Sequence, residues 1–372
     1  MFTSEPHHII AIGASAGGLE EINSFFDHTP VDGVSYVIVQ HLSSEHKSRM
    51  TELLSKHSKL VVQQAQNGMP ILGNQVYLIP NDMFMTIRGG SLFLIKKDDS
   101  RGPHMTINAF FTSLASDYGQ KAIAVILSGM GSDGSAGIKA IKNAGGLVIV
   151  RNPENAEFSS MPSNAIATGM VDFVLEPEAM PGVIDDYVKH EIDLLASGIN
   201  DEQNVDEIIA LINKQLPLDF SDYKHTTILR RIKRRAASNN FSTLDKYLEF
   251  AKVNPEEIEI LAKDFLISVT AFFRDTEAFG IIEKEVLPSI LKRLKPGQEI
   301  RMWVTGCATG EEAYSIAMLV CEQLGDKIYE HVVKIFATDI DSAALAQAGK
   351  GLYSGAVTAN ISPERLKRFF NQ

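Results

Sequence analysis

The stretch Ile9-Ile-Ala-Ile-Gly-Ala-Ser15-Ala-Gly-Gly18 decides how the chain folds at its start, because a short apolar run ends there in a serine flanked by glycines. The spacing Gly13-x-Ser15-x-Gly17 fits a strand, a sharp turn and a helix start, the arrangement that lifts a serine hydroxyl to the top of a parallel sheet. Glycine-rich turns also cradle phosphates, so the motif alone fits a nucleophile or a nucleotide site. Two further runs bear on the choice. Val34 to Gln40 is rich in β-branched and aromatic residues and delivers His41 at its carboxyl end; Ala122 to Leu127 leads into Ser128-Gly-Met-Gly-Ser-Asp133-Gly. Near-continuous apolar runs of this length read as strands of a parallel sheet covered on both faces. In such sheets ligands lie beyond the carboxyl ends of the strands, so Ser15, His41 and Asp133 are expected on one rim. A serine hydroxyl needs an imidazole to take its proton and a carboxylate to fix the imidazole tautomer.

Each residue also has a plainer reading. Ser15 could face solvent in a phosphate-binding turn, His41 could cap a strand, and His46 in S-S-E-H-K-S reads as a solvated loop residue. Asp133 competes with Asp82 and with the pair Asp98 and Asp99, which follow Lys96 and Lys97 in an exposed turn. Its advantage is a glycine-rich loop directly after a strand.

The blocks G-A-S-A-G-G, V-I-V-Q-H-L and I-L-S-G-M-G-S-D-G, in this order, resemble the catalytic domain of the chemotaxis protein-glutamate methylesterases, the CheB family. The resemblance covers about residues 7 to 188, with Pro70 to Asp82 and S-M-P-S-N-A-I-A-T-G-M as further blocks. It implies a doubly wound parallel sheet with Ser15 as nucleophile, His41 as general base and Asp133 as orienting acid. It also places the backbone amides of Ala16 and Met130 near the developing oxyanion. The implied activity is hydrolysis of glutamyl methyl esters on a methylated chemoreceptor or receptor-like helical signalling protein, without a cofactor, and deamidation of glutamines.

Composition limits the alternatives. With 372 residues there is room for two or three domains. No apolar run approaches the roughly 18 residues that span a bilayer, and M-F-T-S-E-P-H-H lacks the basic-then-apolar pattern of a signal peptide. Cys307 and Cys321 are too few for a disulfide framework and not spaced like a metal site. A net charge of -11 disfavours general nucleic-acid binding. The expectation is a cytoplasmic protein without nucleic-acid partner or membrane insertion.

The chain changes character near residue 190. Leu194 to Val205 is polar and suits a linker or the entry to a new helix, and from about Glu207 to Lys284 the pattern is helical. Within it lies Y-K-H-T-T-I-L-R-R-I-K-R-R from Tyr223 to Arg235. Ile228, Leu229 and Ile232 fall at inward-facing spacing, while Arg230, Arg231, Lys233, Arg234 and Arg235 spread over the outer faces. This basic run reads either as a solvated helix face or as a docking patch for an acidic partner.

Phe265 to Asp275, Ile300 to Met318 and A-T-D-I-D from Ala337 to Asp341 carry a second resemblance, to the S-adenosylmethionine-dependent chemoreceptor glutamate methyltransferases, the CheR family. A strand ending at Gly306, a turn to Gly310, a helix starting at Glu311 and Glu312, and a second strand from Val332 to Thr338 fit a nucleoside site, with Asp339 placed to hold ribose hydroxyls. The resemblance implies cofactor contacts from Thr270, Arg274, Gly306, Glu312 and Asp339, and turns the basic helix toward the receptor. Ser268 stands where the family usually has asparagine. About two strands of the methyltransferase sheet precede Gln372, so this half is expected to be a partial Rossmann-like domain and a poor methyltransferase. Because the first strand begins almost at Met1, no receiver domain is expected ahead of it.

The expected organisation is therefore a doubly wound α/β esterase domain over 1–190, a linker over 191–206, an all-α domain over 207–284 and a partial methyltransferase domain over 285–372. Two other classes fit the same residues: a nucleotide-binding module on the same sheet, or a signalling scaffold with vestigial catalytic sites.

Overall fold

A computed structural model describes residues 5–40, 50–97, 104–196, 200–266, 270–295, 297–353 and 361–371. Its first strands are β1 (Ile9–Ala14), β2 (Ser35–Gln40), β3 (Val61–Gln64), β4 (Met69–Pro70), β5 (Gln75–Leu78), β6 (Met83–Arg88), β7 (Ser91–Lys96), β8 (Ala122–Ile126), β9 (Leu147–Arg151) and β10 (Phe173–Leu175). Seven of them form a parallel sheet in the order β10-β9-β8-β1-β2-β5-β3, with β4, β7 and β6 in a small antiparallel sheet. The chain winds outward from β1 through β2 to β5 and β3, then returns to β8 on the other side of β1. That reversal is the switch point at which open α/β sheets bind ligands.

The helices of this half are α1 (Gly18–Asp27), α2 (Met50–Leu54), α3 (Thr106–Tyr118), α4 (Ser135–Asn143), α5 (Ser160–Ile166) and α6 (Met180–Ala196). Every residue of β1, β2, β8 and β9 is buried, as strands covered on both faces require. Alternation sorts their side chains. Ile9, Ala11, Val37 and Val148 pack with Phe110, Phe111 and Leu114 of α3 and Ile138 and Ile141 of α4. Tyr36 on the other face meets Phe25 and Phe26 of α1 edge-on, at centroid distances of 5.9 and 5.3 Å. Truncating Phe110 or Phe111 to alanine should cost about 3 to 5 kcal/mol.

Helices α7 (Asp201–Gln215), α8 (His225–Ser238), α9 (Leu244–Val253) and α10 (Pro255–Phe265) follow. They belong with the large sheet to one compact unit, Met1–Phe265, and Leu266–Gln372 form the second. The division falls inside the segment expected as a single helical domain. The segment expected as a linker is largely helical: α6 runs on to Ala196 and α7 begins at Asp201, with residues 197–199 outside the described residues.

The second unit holds α11 (Thr276–Ile281), α12 (Leu287–Leu291), β11 (Glu299–Thr305), α13 (Glu311–Leu324), β12 (Val332–Thr338), α14 (Ser342–Lys350) and α15 (Pro363–Phe369). Strands β11 and β12 pair in parallel over seven residues each, starting from Glu299 opposite Val332. Phe272, Phe273, Leu287, Ile300, Met318 and Leu319 make its core. Trp303 and Phe336 on the strands stay 71% and 49% exposed.

Candidate functional site

Ser15 follows β1 directly. Gly17 caps α1 with φ 75°, a left-handed conformation that disfavours side-chain-bearing residues, and a Cβ there would lie 2.8 Å from Phe158 Cδ2. Ser15 is half-buried, and its amide donates to the carbonyl of Ser128 at 3.0 Å. The Ser15 turn after β1 is thereby tied to the loop after β8, across the switch point.

That loop is held at consecutive peptide groups. Ser128 donates its amide to Glu21 Oε2 (2.8 Å) and its hydroxyl to Glu21 Oε1 (2.7 Å). Gly129 donates to the Phe158 carbonyl (3.0 Å) and accepts from the Met161 amide (2.9 Å). A Cβ on Gly129 would sit 2.7 Å from Met161 Cε and 2.9 Å from Ser15 Cβ, so only glycine lets the loop come this close to the serine. The Gly131 carbonyl accepts from Asn164 Nδ2 (2.8 Å) and its amide donates to Ser160 Oγ (3.2 Å). Between these anchors the side chain of Met130 is 63% exposed. The amides of Ala16 and Met130 donate to no acceptor among the described residues.

Asp133 is buried at the end of the same loop, 7% exposed. Its Oδ2 accepts from the Ile107 amide, and its Oδ1 from the amides of Asn108 and Gly134, all at 2.9 Å. Asn108 Oδ1 in turn accepts from Gly134 (3.0 Å) and Gly137 (2.8 Å). The two side chains thus cap each other's helices, Asp133 at the start of α3 and Asn108 at the start of α4, satisfying amides that have no partner within the helix. His41 and His46, with Asp98 and Asp99, lie outside the described residues. Asp82 sits in the turn before β6 and is exposed.

Acidic groups surround the glycine turn. Glu157 Oε2 lies 3.0 Å from the place a Gly17 Cβ would occupy, and Glu21 lies behind Ser128. A carboxylate beside the turn, that of Glu157, is a poor setting for phosphate, which helix starts otherwise attract.

The basic run is where structure and expectation part. Arg231, Lys233 and Arg234 are buried, 8%, 8% and 3% exposed. Arg234 donates to Asp172 Oδ1 (3.2 Å) and Asp264 Oδ2 (2.5 Å), and Lys142 reaches Asp172 at 2.5 Å. Arg231 donates to the Asp264 carbonyl, and burial together with the neighbouring Arg234 charge pushes its guanidinium down to about 10. Lys233 donates to the Leu194 carbonyl (3.0 Å) and pairs with Asp201 (2.5 Å). Arg235 grips Glu257 bidentately, at 2.7 and 2.8 Å, while the half-buried Arg230 packs over Gly145. This is no free docking face: Arg231, Lys233, Arg234 and Arg235 are engaged by carboxylates and carbonyls of their own chain, and Arg230 is half-buried over Gly145. Ile228 and Ile232 are buried as expected, and the charged side is buried with them.

In the second unit, Thr270 and Arg274 flank the buried pair Phe272 and Phe273, and the Phe273 amide donates to Ser315 Oγ of α13 (3.0 Å). Ser268 lies outside the described residues. The turn from Gly306 to Gly310 precedes α13, whose first turn holds Glu311, buried, and Glu312, exposed. Asp339, after β12, accepts from the amides of Ala308 (2.7 Å) and Asp341 (2.8 Å). Ala308 has φ 47°, a strained value that this bond helps hold. Tyr353 donates to the Thr309 carbonyl at 2.7 Å. Two carboxylates at a helix start oppose a phosphate and suit a ligand with cationic and hydroxyl groups. The residues present therefore fit S-adenosylmethionine better than a dinucleotide.

Sequence reasoning missed Glu21, Asn108, Arg151, Met161, Asn164 and Tyr353. One signal was available: Arg151 ends an otherwise apolar buried strand, and a charge there needs a partner.

Comparison with known proteins gives three adjoining matches. Residues 10–184 match the CheB methylesterase family, 203–266 the all-alpha domain of the CheR methyltransferases, and 268–372 their SAM binding domain. An uncharacterized 104.1 kDa protein of Rhodobacter capsulatus is 34% identical over 86% of this chain and 36% of its own length. The protein-glutamate methylesterase/protein-glutamine glutaminase of Salmonella typhimurium is 34% identical over 45% of this chain and 49% of its own length. The chain thus spans about a third of the first relative and about half of the second. The crystal structure of the Thermotoga maritima CheB methylesterase catalytic domain aligns with 30% identity and a TM-score of 0.45, covering 48% of this chain and 97% of that one.

Proposed function

We propose that this chain, which joins a CheB methylesterase domain to the all-α and SAM-binding domains of a CheR methyltransferase, hydrolyses glutamyl methyl esters on a receptor-like helical protein. The observation that carries the reading is the Ser15 N to Ser128 O bond of 3.0 Å, which joins the serine turn to the loop that presents Asp133. Ser15 Oγ attacks the ester carbonyl while His41 takes its proton. The amides of Ala16 and Met130 receive the oxyanion, one such donor typically contributing about 3 to 4 kcal/mol. His41 returns the proton to the departing methoxide, and methanol leaves. Water, deprotonated by the same imidazole, then cleaves the acyl-serine and frees a glutamate carboxylate. With glutamine as substrate the same steps release ammonia. Asp133 orients the imidazole throughout.

In the second unit the proposed contacts of S-adenosylmethionine are Thr270, Arg274, Gly306, Glu312 and Asp339. When bound, that cofactor supplies an electrophilic methyl group. Asp339 would accept from ribose hydroxyls, and Glu312 would face the cationic part of the ligand. Within the protein, no helix among the described residues is long and apolar enough to cross a membrane.

The test is methanol release from a methyl-esterified receptor fragment by the purified chain, its Ser15→Ala variant and its His41→Ala variant. Release should stop in both variants, and a fluorophosphonate should label the wild type at Ser15 only when His41 is present. Wild-type rates in Ser15→Ala would refute the assignment.

A further inference from the structure

We infer that Glu21 is a positioning residue of the candidate esterase site, an inference that rests on the reading of Ser15 as nucleophile. Glu21 lies on α1, the helix that starts immediately after the serine turn, and its side chain is 13% exposed. Its carboxylate gathers three donors from two other strand ends. Oε2 takes the Ser128 amide at 2.8 Å; Oε1 takes the Ser128 hydroxyl at 2.7 Å and Arg151 Nε at 2.9 Å. Arg151, at the tip of β9, is itself fixed by Glu176 and by the Asn155 carbonyl (2.9 Å).

The Ser128 peptide is therefore clamped on both sides. Its amide is held by Glu21, and its carbonyl receives the Ser15 amide. Any slack in the Glu21 bonds passes to the backbone bond from Ser15 to Ser128, which places the serine against the loop carrying Met130 and Asp133. The device needs a carboxylate. Each oxygen faces at least one N–H or O–H, and a glutamine in its place has one oxygen and one NH₂, so one of its ends would point a donor at a donor. An unsatisfied group in so buried a place is costly. The charge of Arg151 also needs a counter-charge there. Neither Glu21 nor Arg151 is assigned a part in the acyl-transfer steps, so their effect on rate passes through Ser128.

The experiment compares methanol release, fluorophosphonate labelling and thermal unfolding of the full chain with those of Glu21→Gln. A positioning role lowers kcat by up to about 10²-fold, the scale of an ångström misplacement, with KM little changed and labelling slowed in parallel. A purely structural brace lowers the unfolding temperature but leaves kcat per folded molecule intact; that outcome overturns the inference. Absence of methanol release from the wild type overturns the esterase reading and this inference with it, so the two failures are separable. Should Glu21→Gln not fold, Ser128→Ala decides: it removes the hydroxyl donor and keeps the amide. A reduced kcat at unchanged KM supports the clamp, and an unchanged kcat overturns it.

Discussion

Arg234 and Asp172, 62 residues apart along the chain, meet at 3.2 Å between Nη1 and Oδ1 and bind helix α8 to the edge of the seven-stranded sheet. Asp172 also accepts from Lys142 and from the Val148 amide of β9 (2.9 Å). One buried carboxylate thus serves two cations from two family segments.

Replacing Asp172 by asparagine leaves Arg234 and Lys142 with one fewer counter-charge in a buried place. Removing one partner of a buried pair costs about 3 to 5 kcal/mol. Urea unfolding of the full chain should show a loss of that order for Asp172→Asn; a change within error would mean the cluster contributes nothing net.

Acid should act through the same group. Burial alone would raise the Asp172 carboxyl, but Arg234 and Lys142 outweigh it and hold it below its ordinary value of 3.8. A carboxyl depressed in the folded state stabilises fully above that ordinary value, and its contribution is lost as pH falls through the lower, folded value. Unfolding free energy measured from neutral pH downward should therefore fall at the acid end in the wild type, and that part of the fall should be missing in Asp172→Asn.

Asp133→Asn should reduce methanol release by about 10⁴ if the carboxylate fixes the imidazole tautomer. The substitution also turns an NH₂ toward one of the amides that Asp133 now accepts, so circular dichroism must show the fold retained. A folded variant with near wild-type kcat would remove Asp133 from the triad.

Gly129→Ala places a methyl group 2.7 Å from Met161 Cε and 2.9 Å from Ser15 Cβ. Overpacking of this kind costs about 1 to 3 kcal/mol, and displacement of the serine should lower kcat by about 10². Gly129→Ala with full activity would show that the loop can withdraw without moving Ser15.

Asp339→Ala removes the acceptor of the Ala308 and Asp341 amides. A fully buried amide left unmet costs about 1 to 3 kcal/mol; these are part-buried and would lose less, but the turn that begins at Gly306 should still loosen. Titration calorimetry with S-adenosylmethionine should show weaker binding than wild type. Equal affinities, or no binding by the wild-type chain, would count against a cofactor role for Asp339.

Much of the first half could be read from residues alone, since apolar runs of strand length end where chemistry-bearing residues begin. Ser15, Ser128 and Asp133 follow β1 and β8 as expected, and Glu311 does open a helix after β11. Periodicity also placed Ile228 and Ile232 inside. It could not show that the opposite, cationic face of α8 is covered too. The covering carboxylates, Asp172 and Asp264, come from 62 and 30 residues away, and pattern within one helix carries no information about them. The reciprocal caps of Asp133 and Asn108 and the bonds of Glu21 to Ser128 and Arg151 were hidden for the same reason. Each depends on which strand tips become neighbours.

The cluster of Lys142, Asp172, Arg234 and Asp264 places a mechanical seam elsewhere than the boundary between the two matched family segments. A cut near Ala196 would leave buried charges without their partners, whereas a cut after Phe265 follows the division the folded chain already has. Anyone swapping modules in such proteins should carry the helical bundle along with the sheet it grips.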